Sequence, residues 1–596
     1  MAYKLLLILL LLASSHTEAS NDVDKEALLE LKSRLSSDPS GLLHSWTSSS
    51  DCCSAWEGIT CDSTGRVIKL IRSGVVDDDG LLLETYMSGT LSPYLGNLSN
   101  LQVLDLSNLK ELKGPIPQEL GKLSALASLF LQSNKLTGSI PLALNNLSQL
   151  QQLYLGNNLL SGNLPSSVFG SLTSLSELNL SGNEFSGGIP SSIGNLRLLT
   201  NLDLHGNNFR ASIPASIGQL ENLKYLDLSE NQISGRLPTS IGALSQLVFL
   251  TLNQNQIRGK IPSSIGALSS LTFCRLSENK FTGTLPPSIG MLTYIQRLIL
   301  ENNELGGKLP ATIGHLTNLT DMFFSNNRFT GTIPSTFANL RNLRTLDLSR
   351  NQLSGALPPG LLSCRGKLPS WLSSSSIAQL DLSSNALTGK FPPWIGNMTN
   401  LAFLNLSYNK FHSSIPVEFK NLSLLMDLDL RSNNLSGPLD VIYEKEHKYP
   451  LGYFNSIDLS NNMFSGPIDE NIGEKASMTA LKSLVLSHNS LGGSIPKSIG
   501  KLTQIEILDL SDSDLSGSIP AELGDAKELN VILFSRNKLT GNIPEKVVSS
   551  KRLRVFDVSN NNLSGRIPPH KTNIPRSAFM GNPRLCGSPL PPCNHF

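Results

Sequence analysis

The sequence predicts an α/β solenoid in which short repeats stack side by side and share one concave parallel β-sheet. The pattern L-x-x-L-x-L-x-x-N recurs with a spacing of 24 residues, as at Asn207, Asn231 and Asn255. Each asparagine is followed by x-[LFI]-x-G-x-[IL]-P, as in residues 135–141. The chain has 596 residues, which is too long for one ordinary globular core, whereas the length of a repeat protein is not limited by its core.

The alternating leucines predict one short strand per repeat, with a face that only neighbouring repeats can bury. Together the repeats predict about 20 parallel strands. The asparagine amide both donates and accepts hydrogen bonds, so we expect a ladder of these amides to satisfy the turns that follow the strands. The ladder positions are Asn134, Asn158, Asn183, Asn207, Asn231, Asn255, Asn279, Asn303, Asn327, Asn351, Asn385, Asn409, Asn433, Asn462, Asn489, Ser513, Asn537 and Asn561.

The period is irregular near residues 352–384 and 434–457. From Asn351 to Asn385 the spacing is 34, and this stretch, which contains Cys364, resembles two outer turns joined without a strand. Either a repeat has lost residues there or the gene model is wrong. From Asn433 to Asn462 the spacing is 29. We interpret residues 443–454 of that stretch as a second candidate binding loop, because interrupting loops often carry function.

The two ends predict a leader and caps. We expect a signal peptide at residues 1–19, an N-terminal cap at 20–66, repeats at 67–570 and a C-terminal cap at 571–596. Lys4, the apolar run at residues 5–12 and the small residue Ala19 are typical of a secretory signal. We also expect one face of a helix to carry Leu28, Leu31 and Leu35. No later apolar run reaches membrane-spanning length, so the sequence predicts a secreted protein of the apoplast or cell wall.

The seven cysteines fall mainly into two clusters at the ends of the chain. An oxidising compartment would bridge such clusters, and the local pairs are Cys53 with Cys61 and Cys586 with Cys593. An odd number leaves at least one thiol unpaired. Cys274 replaces a strand leucine, and we interpret it as a buried structural thiol.

The caps and half-repeats carry a family resemblance. The segment CCSAWEGITC at residues 52–61, the repeated G-x-I-P and the segment FMGNPRLCGSPL at residues 579–590 resemble the plant extracellular leucine-rich-repeat family. That family includes ectodomains of receptor-like proteins and receptor kinases, and soluble relatives such as polygalacturonase inhibitors. The resemblance covers residues 22–593 and implies a plant-type leucine-rich-repeat superhelix with disulfide caps at both ends.

One departure from the family pattern concerns the paired cysteines of the N-terminal cap. Relatives with such a pair carry a further cysteine upstream, which bonds the first of the two. No cysteine lies between Ser20 and Asp51 in this sequence. The comparison therefore implies that Cys52 lacks its usual partner.

The composition and motifs argue against catalysis and nucleic-acid binding. The net charge is +1 and only 16% of residues are charged, so no concentrated basic surface is predicted. The sequence has no H-E-x-x-H or C-x-x-C motif, and its Gly-Lys pairs lack the Ser or Thr of a phosphate loop. The strand aspartates are interpreted as a solvated face. We therefore predict no enzyme activity, no cofactor and no metal site.

Nine N-x-S/T sequons predict glycosylation of a secreted chain. They are Asn97, Asn146, Asn179, Asn318, Asn397, Asn405, Asn421, Asn434 and Asn562. Asn179 and Asn405 fall at strand positions, so glycans there would obstruct the concave face.

The outward strand positions carry the prediction of a binding site. Most repeats have Asp, Ser or Asn there, but residues 225–323 carry aromatic and charged side chains, the composition of interaction hot spots. The alternative is neutral sequence variation at surface positions that tolerate many residue types. The predicted ligand-binding residues are Tyr225, Phe249, Phe273, Arg275, Arg297, Ile299, Glu301 and Phe323.

The sequence is compatible with two different functions. The first is an extracellular receptor-like protein of plant defence or developmental signalling, which binds a protein, peptide or glycan and acts with a membrane receptor kinase. The alternative is an inhibitor of a microbial cell-wall hydrolase, although the polygalacturonase inhibitors have about half as many repeats. A receptor sequence cut short before its membrane span would also fit.

Overall fold

The structure is a computed structural model that describes residues 20–74, 85–358, 377–448, 450–570 and 573–593. The predicted signal peptide at residues 1–19, Cys364 and most of the interruption at 352–384 lie outside these residues. The chain divides into two compact units, residues 1–282 and 283–596.

The first unit begins with a cap helix, Asp22–Ser33. The side chain of Asn21 caps it by accepting hydrogen bonds from the N–H groups of Val23 and Asp24. Leu28 and Leu31 are buried on its inner face, as predicted. Leu35, which was expected to share that face, instead begins the strand Leu35–Ser37, because the helix ends at Ser33 and Arg34 caps it. A second helix, Cys52–Ala55, follows.

The main sheet of the first unit is parallel after its first strand, which pairs antiparallel with the second. The central residue of each repeat strand is buried, and the residues on either side face outward, as the leucine pattern predicts. The strands are Ile59–Cys61, Val67–Ile71, Val103–Asp105, Ser128–Phe130, Gln152–Tyr154, Glu177–Asn179, Asn201–Asp203, Tyr225–Asp227, Phe249–Thr251 and Phe273–Arg275.

The second unit has a parallel sheet of the same kind. Its strands are Arg297–Ile299, Asp321–Phe323, Thr345–Asp347, Gln379–Asp381, Phe403–Asn405, Asp427–Asp429, Ser456–Asp458, Ser483–Val485, Ile507–Asp509, Val531–Leu533 and Val555–Asp557. Thr345 pairs directly with Gln379. The interruption near residues 352–384 therefore adds chain without removing a step from the strand ladder.

Short elements on the outer side connect the strands of the main sheets. Prolines such as Pro214 have an extended backbone and stand just before single-turn 3₁₀ helices. The helices of the first unit are Pro93–Asn97, Gln118–Lys122, Leu142–Asn146, Ser166–Ser171, Ser191–Asn195, Ala215–Gln219, Thr239–Ala243 and Ser263–Ala267. Those of the second unit are Pro287–Met291, Ala311–His315, Ser335–Asn339, Pro393–Asn397, Val417–Asn421, Asp440–Tyr443, Ile472–Glu474, Ala476–Met478, Lys497–Lys501, Ala521–Asp525, Glu545–Val548 and Arg576–Phe579. Three of these helices are α-helical and not 3₁₀, namely Ser166–Ser171, Asp440–Tyr443 and Glu545–Val548.

A second set of short strands lies between the main sheet and these helices. From Lys135 onward they follow the ladder residues, and they pair with strands of adjacent repeats. The first of the set, Leu35–Ser37, belongs to the cap and pairs antiparallel with Ser88–Thr90. The strands are Leu35–Ser37, Ser88–Thr90, Leu112–Gly114, Lys135–Gly138, Leu159–Asn163, Glu184–Gly187, Asn208–Phe209, Arg258–Gly259, Lys280–Thr284, Glu304–Lys308, Arg328–Gly331, Gln352–Gly355, Ala386–Lys390, Lys410–Ser413, Asn434–Gly437, Met463–Phe464, Ser516–Ser518, Lys538–Gly541, Asn562–Arg566 and Arg584–Cys586.

The predicted asparagine ladder is present. The Asn231 amide donates to the carbonyls of Leu204 and Leu228, at 3.0 and 3.3 Å, and its oxygen accepts from the N–H of Phe209 at 3.0 Å. Each such side chain therefore joins two repeats and satisfies buried backbone groups. Ser513 keeps the donor role through a 3.2 Å bond to the Leu486 carbonyl. Asn582, which the repeat pattern did not include, adds one further step in the C-terminal cap.

The structure contains both predicted disulfides, Cys53–Cys61 and Cys586–Cys593. Cys52 and Cys274 are free and buried. Burial raises the pKa of the Cys274 thiol to about 12, so it is an unreactive neutral group at physiological pH.

The interruption at residues 434–457 folds inward. Tyr443 and Phe454 are almost completely buried. Lys445 is also buried, and its Nζ donates to the Gly452 carbonyl at 2.5 Å and lies 4.6 Å from the centre of the Phe454 ring. Burial lowers the pKa of Lys445 to about 8. Tyr443, Lys445 and Phe454 of this second candidate loop therefore anchor it to the core.

Within the described residues, no helix has both the length and the apolar character needed to cross a membrane.

Candidate functional site

Three aromatic rings form a continuous stack on the sheet face of the first unit. Tyr225, Phe249 and Phe273 occupy the same outward position on three adjacent strands. The ring centres of Tyr225 and Phe249 are 4.7 Å apart, and those of Phe249 and Phe273 are 4.5 Å apart, with planes within 12° of parallel. The spacing of about 4.8 Å between paired strands matches the distance at which rings stack. All three side chains are half-buried.

Arg275 lies beside this stack, two residues after Phe273 on the same strand. Its Nε donates to the Ser277 hydroxyl at 3.1 Å, and the side chain is half-buried. Its partner on the preceding strand is Thr251. Thr251 is 5% exposed, and its hydroxyl oxygen is buried without a hydrogen-bond partner. The structure thus brings four of the predicted ligand-binding residues together: Tyr225, Phe249, Phe273 and Arg275.

An acidic pair with a histidine lies at the Tyr225 end of the stack, in the same column of outward positions as Thr251 and Arg275. Asp203 and Asp227 are partners on adjacent strands. His205 Nδ1 lies 2.7 Å from Asp203 Oδ1, and this hydrogen bond raises the pKa of His205. The hydroxyl of Tyr225 donates to Asp227 Oδ2 at 3.3 Å. Burial raises the pKa of the Tyr225 phenol, and the charge of Asp227 adds to that increase.

The other four predicted residues lie in the second unit. Arg297 Nε is 3.4 Å from a carboxylate oxygen of Asp321. Phe323 is half-buried and pairs with Ile299 on the adjacent strand. Glu301 is half-buried in the turn that follows Ile299. Ile299 is only 6% exposed, so the expectation that it offers surface to a ligand is wrong. Its outward position lies deep between neighbouring side chains.

A polar cavity of about 310 Å³ on the second unit was not anticipated from the sequence. Arg431 stands there in a turn position that is serine in most repeats. Its guanidinium lies 3.1 Å from Asp458, 3.3 Å from Asp429 and 5.4 Å from the centre of the Tyr408 ring. Burial raises the pKa of Asp429 to about 6, and the charge of Asp458 adds to the increase while Arg431 opposes it. The sequence carries one indication of this cavity, which is an arginine at a repeat position that is usually serine.

The nine sequons divide by exposure. Asn179 and Asn405 are half-buried on strands. Their amides donate to Asp203 and Asp381, at 3.1 and 3.2 Å. The exposed sequon asparagines are Asn97, Asn146, Asn318, Asn397, Asn421, Asn434 and Asn562.

Family models match much of the chain. The leucine-rich-repeat N-terminal domain matches residues 21–62. The leucine-rich repeat region matches residues 191–282. The leucine-rich repeat matches residues 124–185, 148–209, 293–353 and 375–435 in one model, and 480–502 and 552–573 in another.

Relatives and solved structures agree with these matches. The leucine-rich repeat protein FLOR 1 of Arabidopsis thaliana is 34% identical over 131 residues, which are 22% of this chain and 36% of the relative. The matched stretch thus spans about a third of that protein. The plant peptide hormone receptor RGFR1 in complex with RGF2 is 32% identical, with a TM-score of 0.75 over 85% of this chain and 82% of that chain.

A second solved structure is the ectodomain of the Arabidopsis receptor kinase HAESA in complex with an IDA peptide hormone. It is 32% identical, with a TM-score of 0.69 over 94% of this chain and 98% of that chain. HAESA in complex with IDA and the co-receptor SERK1 is 30% identical, with a TM-score of 0.65 over 95% and 98%.

Stacked strands, a buried asparagine at each turn and an N-terminal disulfide cap define the class of leucine-rich-repeat proteins. Aromatic and charged side chains cluster on the sheet face of the first unit, a composition that is enriched at interaction surfaces. The chain belongs to the plant extracellular leucine-rich-repeat family.

Proposed function

We propose that this chain is an extracellular ligand-recognition protein that binds a peptide on the sheet face of its first unit. The observation that carries the proposal is the ring stack of Tyr225, Phe249 and Phe273. Stacked rings offer a large apolar area whose side-chain freedom is already reduced, so little conformational entropy is lost when a ligand binds. Arg275 and the acidic pair supply charges of opposite sign at its borders.

The similar structures support a peptide as the ligand. RGFR1 is in complex with RGF2, and HAESA with the peptide hormone IDA. An extended peptide can lie across the strands and place successive side chains against successive repeats. A protein or a glycan would use the same aromatic surface. Arg297, Glu301 and Phe323 are proposed as ligand contacts of the second unit taken by itself.

Extracellular location and a membrane partner are part of the same proposal. The predicted signal peptide and the two disulfides support an oxidising, extracellular compartment. HAESA forms its complex with the co-receptor SERK1, which supports a receptor kinase as partner of this chain. The proposed role is in plant defence or developmental signalling.

The test is retention of peptides from apoplastic fluid on immobilised protein, read by mass spectrometry. The test variant carries Phe249→Ala, Phe273→Ala, Arg275→Ala and Arg297→Ala. The control carries Gln152→Ala and Gln379→Ala, at the same strand position as Phe249 in other repeats. We expect peptides that the wild type and the control retain and the test variant loses. Equal retention by all three proteins would reject the proposed surface.

The alternative of hydrolase inhibition is separated by titrating the protein into a microbial polygalacturonase and following pectin hydrolysis. The proposed function predicts an unchanged rate at a protein-to-enzyme ratio of one. Stoichiometric inhibition would replace the peptide-binding proposal with the inhibitor function.

A further inference from the structure

Asp203, His205 and Asp227 form a group of side chains with metal-binding chemistry. Their nitrogen and oxygen ligand atoms all lie within 4.8 Å of one another. It is the only group of three or more His, Cys, Asp or Glu side chains so arranged in the part of the chain that the structure describes. All three residues belong to the first unit and to two consecutive repeats.

His205 departs from the repeat in a way that opens this group to solvent. In other repeats a serine follows the strand aspartate by two residues, and its hydroxyl donates to that carboxylate, as Ser229 does to Asp227 and Ser349 to Asp347, each at 2.6 Å. His205 takes the serine position after Asp203. Its side chain is 39% exposed, so the imidazole adds a nitrogen ligand that an incoming ion can reach.

The two carboxylates carry a charge that the protein offsets only in part. Asp203 and Asp227 are 8% and 9% exposed and face each other on adjacent strands. Their side-chain hydrogen bonds come from Asn179, His205, Tyr225 and Ser229. Two buried like charges repel and lose hydration, so a cation between them is favourable.

Two further oxygens next to the group lack hydrogen-bond partners. Thr251 is 5% exposed, and its buried Oγ1 has no partner. It stands opposite Asp227 on the next strand, on the same face of the sheet. Asn201 Oδ1 is also buried without a partner, two residues before Asp203 on the same face. These oxygens are an independent indication that a ligand belongs beside the carboxylates, because buried polar atoms are normally satisfied.

We propose that Asp203, His205 and Asp227 bind one divalent cation of the transition series, with Zn²⁺ as the representative ion. One imidazole nitrogen and two carboxylates suit Zn²⁺ better than Ca²⁺ or Mg²⁺, which prefer oxygen ligands only. With a neutral imidazole, the two carboxylates balance the ion's charge. The sequence shows no short metal-binding motif at this place, because the ligands come from two adjacent strands. Asp203 and Asp227, for example, pair across these strands although they are 24 residues apart in the chain. The site does not depend on the proposed peptide function.

The test is calorimetric titration of chelator-treated protein, without a polyhistidine tag, with Zn²⁺. Co²⁺ is titrated in parallel and followed by its visible absorption. The variants are His205→Ser, which restores the residue of neighbouring repeats, and Asp227→Asn. The matched control is His488→Ser, because His488 pairs with Asp512 at 2.8 Å without belonging to such a group of three.

We expect one Zn²⁺ per chain in the wild type and in His488→Ser, and at least tenfold weaker binding in both site variants. Ca²⁺ and Mg²⁺ should bind at least tenfold more weakly than Zn²⁺. Near-ultraviolet circular dichroism verifies that each variant is folded. The proposal is overturned if the wild type binds no Zn²⁺, or if His205→Ser and Asp227→Asn bind it as the wild type does.

Discussion

The ring of Phe249 stacks on the ring of Phe273, with centres 4.5 Å apart, although the two residues are 24 positions apart in the chain. The register of adjacent strands causes this contact, because Phe249 pairs with Phe273 as Leu250 pairs with Cys274. Because the repeat has a constant length, each outward strand position lies directly opposite the same position of the next repeat. Similar side chains at that position in successive repeats therefore form a stack. Binding surfaces can therefore arise from substitutions at one position of the repeat.

This stack should be measurable as an interaction energy. In a double-mutant cycle with Phe249→Ala and Phe273→Ala, we expect a coupling of about 0.5–1.5 kcal/mol in the free energy of unfolding. The measurement is urea unfolding followed by circular dichroism. The control cycle uses Tyr225 and Phe273, which are two strands apart, and should give a smaller coupling. Equal couplings in the two cycles would contradict a contact-based stack.

The asparagine ladder should dominate stability at each turn. Asn231→Ala removes the donor to three carbonyls and the acceptor of the Phe209 N–H, so we expect a loss of about 2–5 kcal/mol. Asn231→Ser should lose less, since Ser513 shows that a hydroxyl keeps the donor role. Hydrogen exchange at the Phe209 amide should accelerate in the alanine variant. The exposed neighbour substitution Gln232→Ala should leave both measurements unchanged.

Asp429 should make stability depend on pH in a direction that most carboxylates do not. Its pKa is raised from 3.8 to about 6 in the folded state, so ionisation of the folded chain is penalised. Its contribution to stability is therefore lost as pH rises from about 4 to about 6, by on the order of 3 kcal/mol.

The measurement is the urea-unfolding free energy of wild type and Asp429→Asn between pH 4 and pH 7. The difference between the two proteins should change in favour of the variant as pH rises. Asp509→Asn is the control, because Asp509 occupies the same strand position and also accepts a backbone N–H. A constant difference between wild type and Asp429→Asn across this range would refute the assignment.

Glycan occupancy should follow exposure. We expect glycans on the exposed sequons and not on Asn179 or Asn405, whose amides donate to Asp203 and Asp381 and whose oxygens accept from Ser181 and Ser407. Glycopeptide mapping by mass spectrometry of the protein secreted from plant cells measures each site. High occupancy at Asn179 or Asn405 would contradict this expectation and would cover the sheet face.

The repeat, the strands, the asparagine ladder and both end disulfides could be predicted from the amino-acid sequence alone. These features are local and recur, because each repeat must bury its leucines against the next and satisfy the same turn. The contacts of Asn231 hold at almost every ladder position for that reason. The row of Tyr225, Phe249 and Phe273 could also be recognised in the sequence, since a constant period assigns each residue to a face of the sheet.

Which outward side chains meet, and how deeply each is buried, became evident from the folded chain. It buried Ile299 and Lys445, and it added Asn582 to the ladder although its repeat is incomplete. It also brought Asp203, His205 and Asp227 within 4.8 Å of one another. The burial of a side chain, and its approach to side chains of other repeats, depend on the residues of adjacent strands. The sequence of a single repeat does not contain that information.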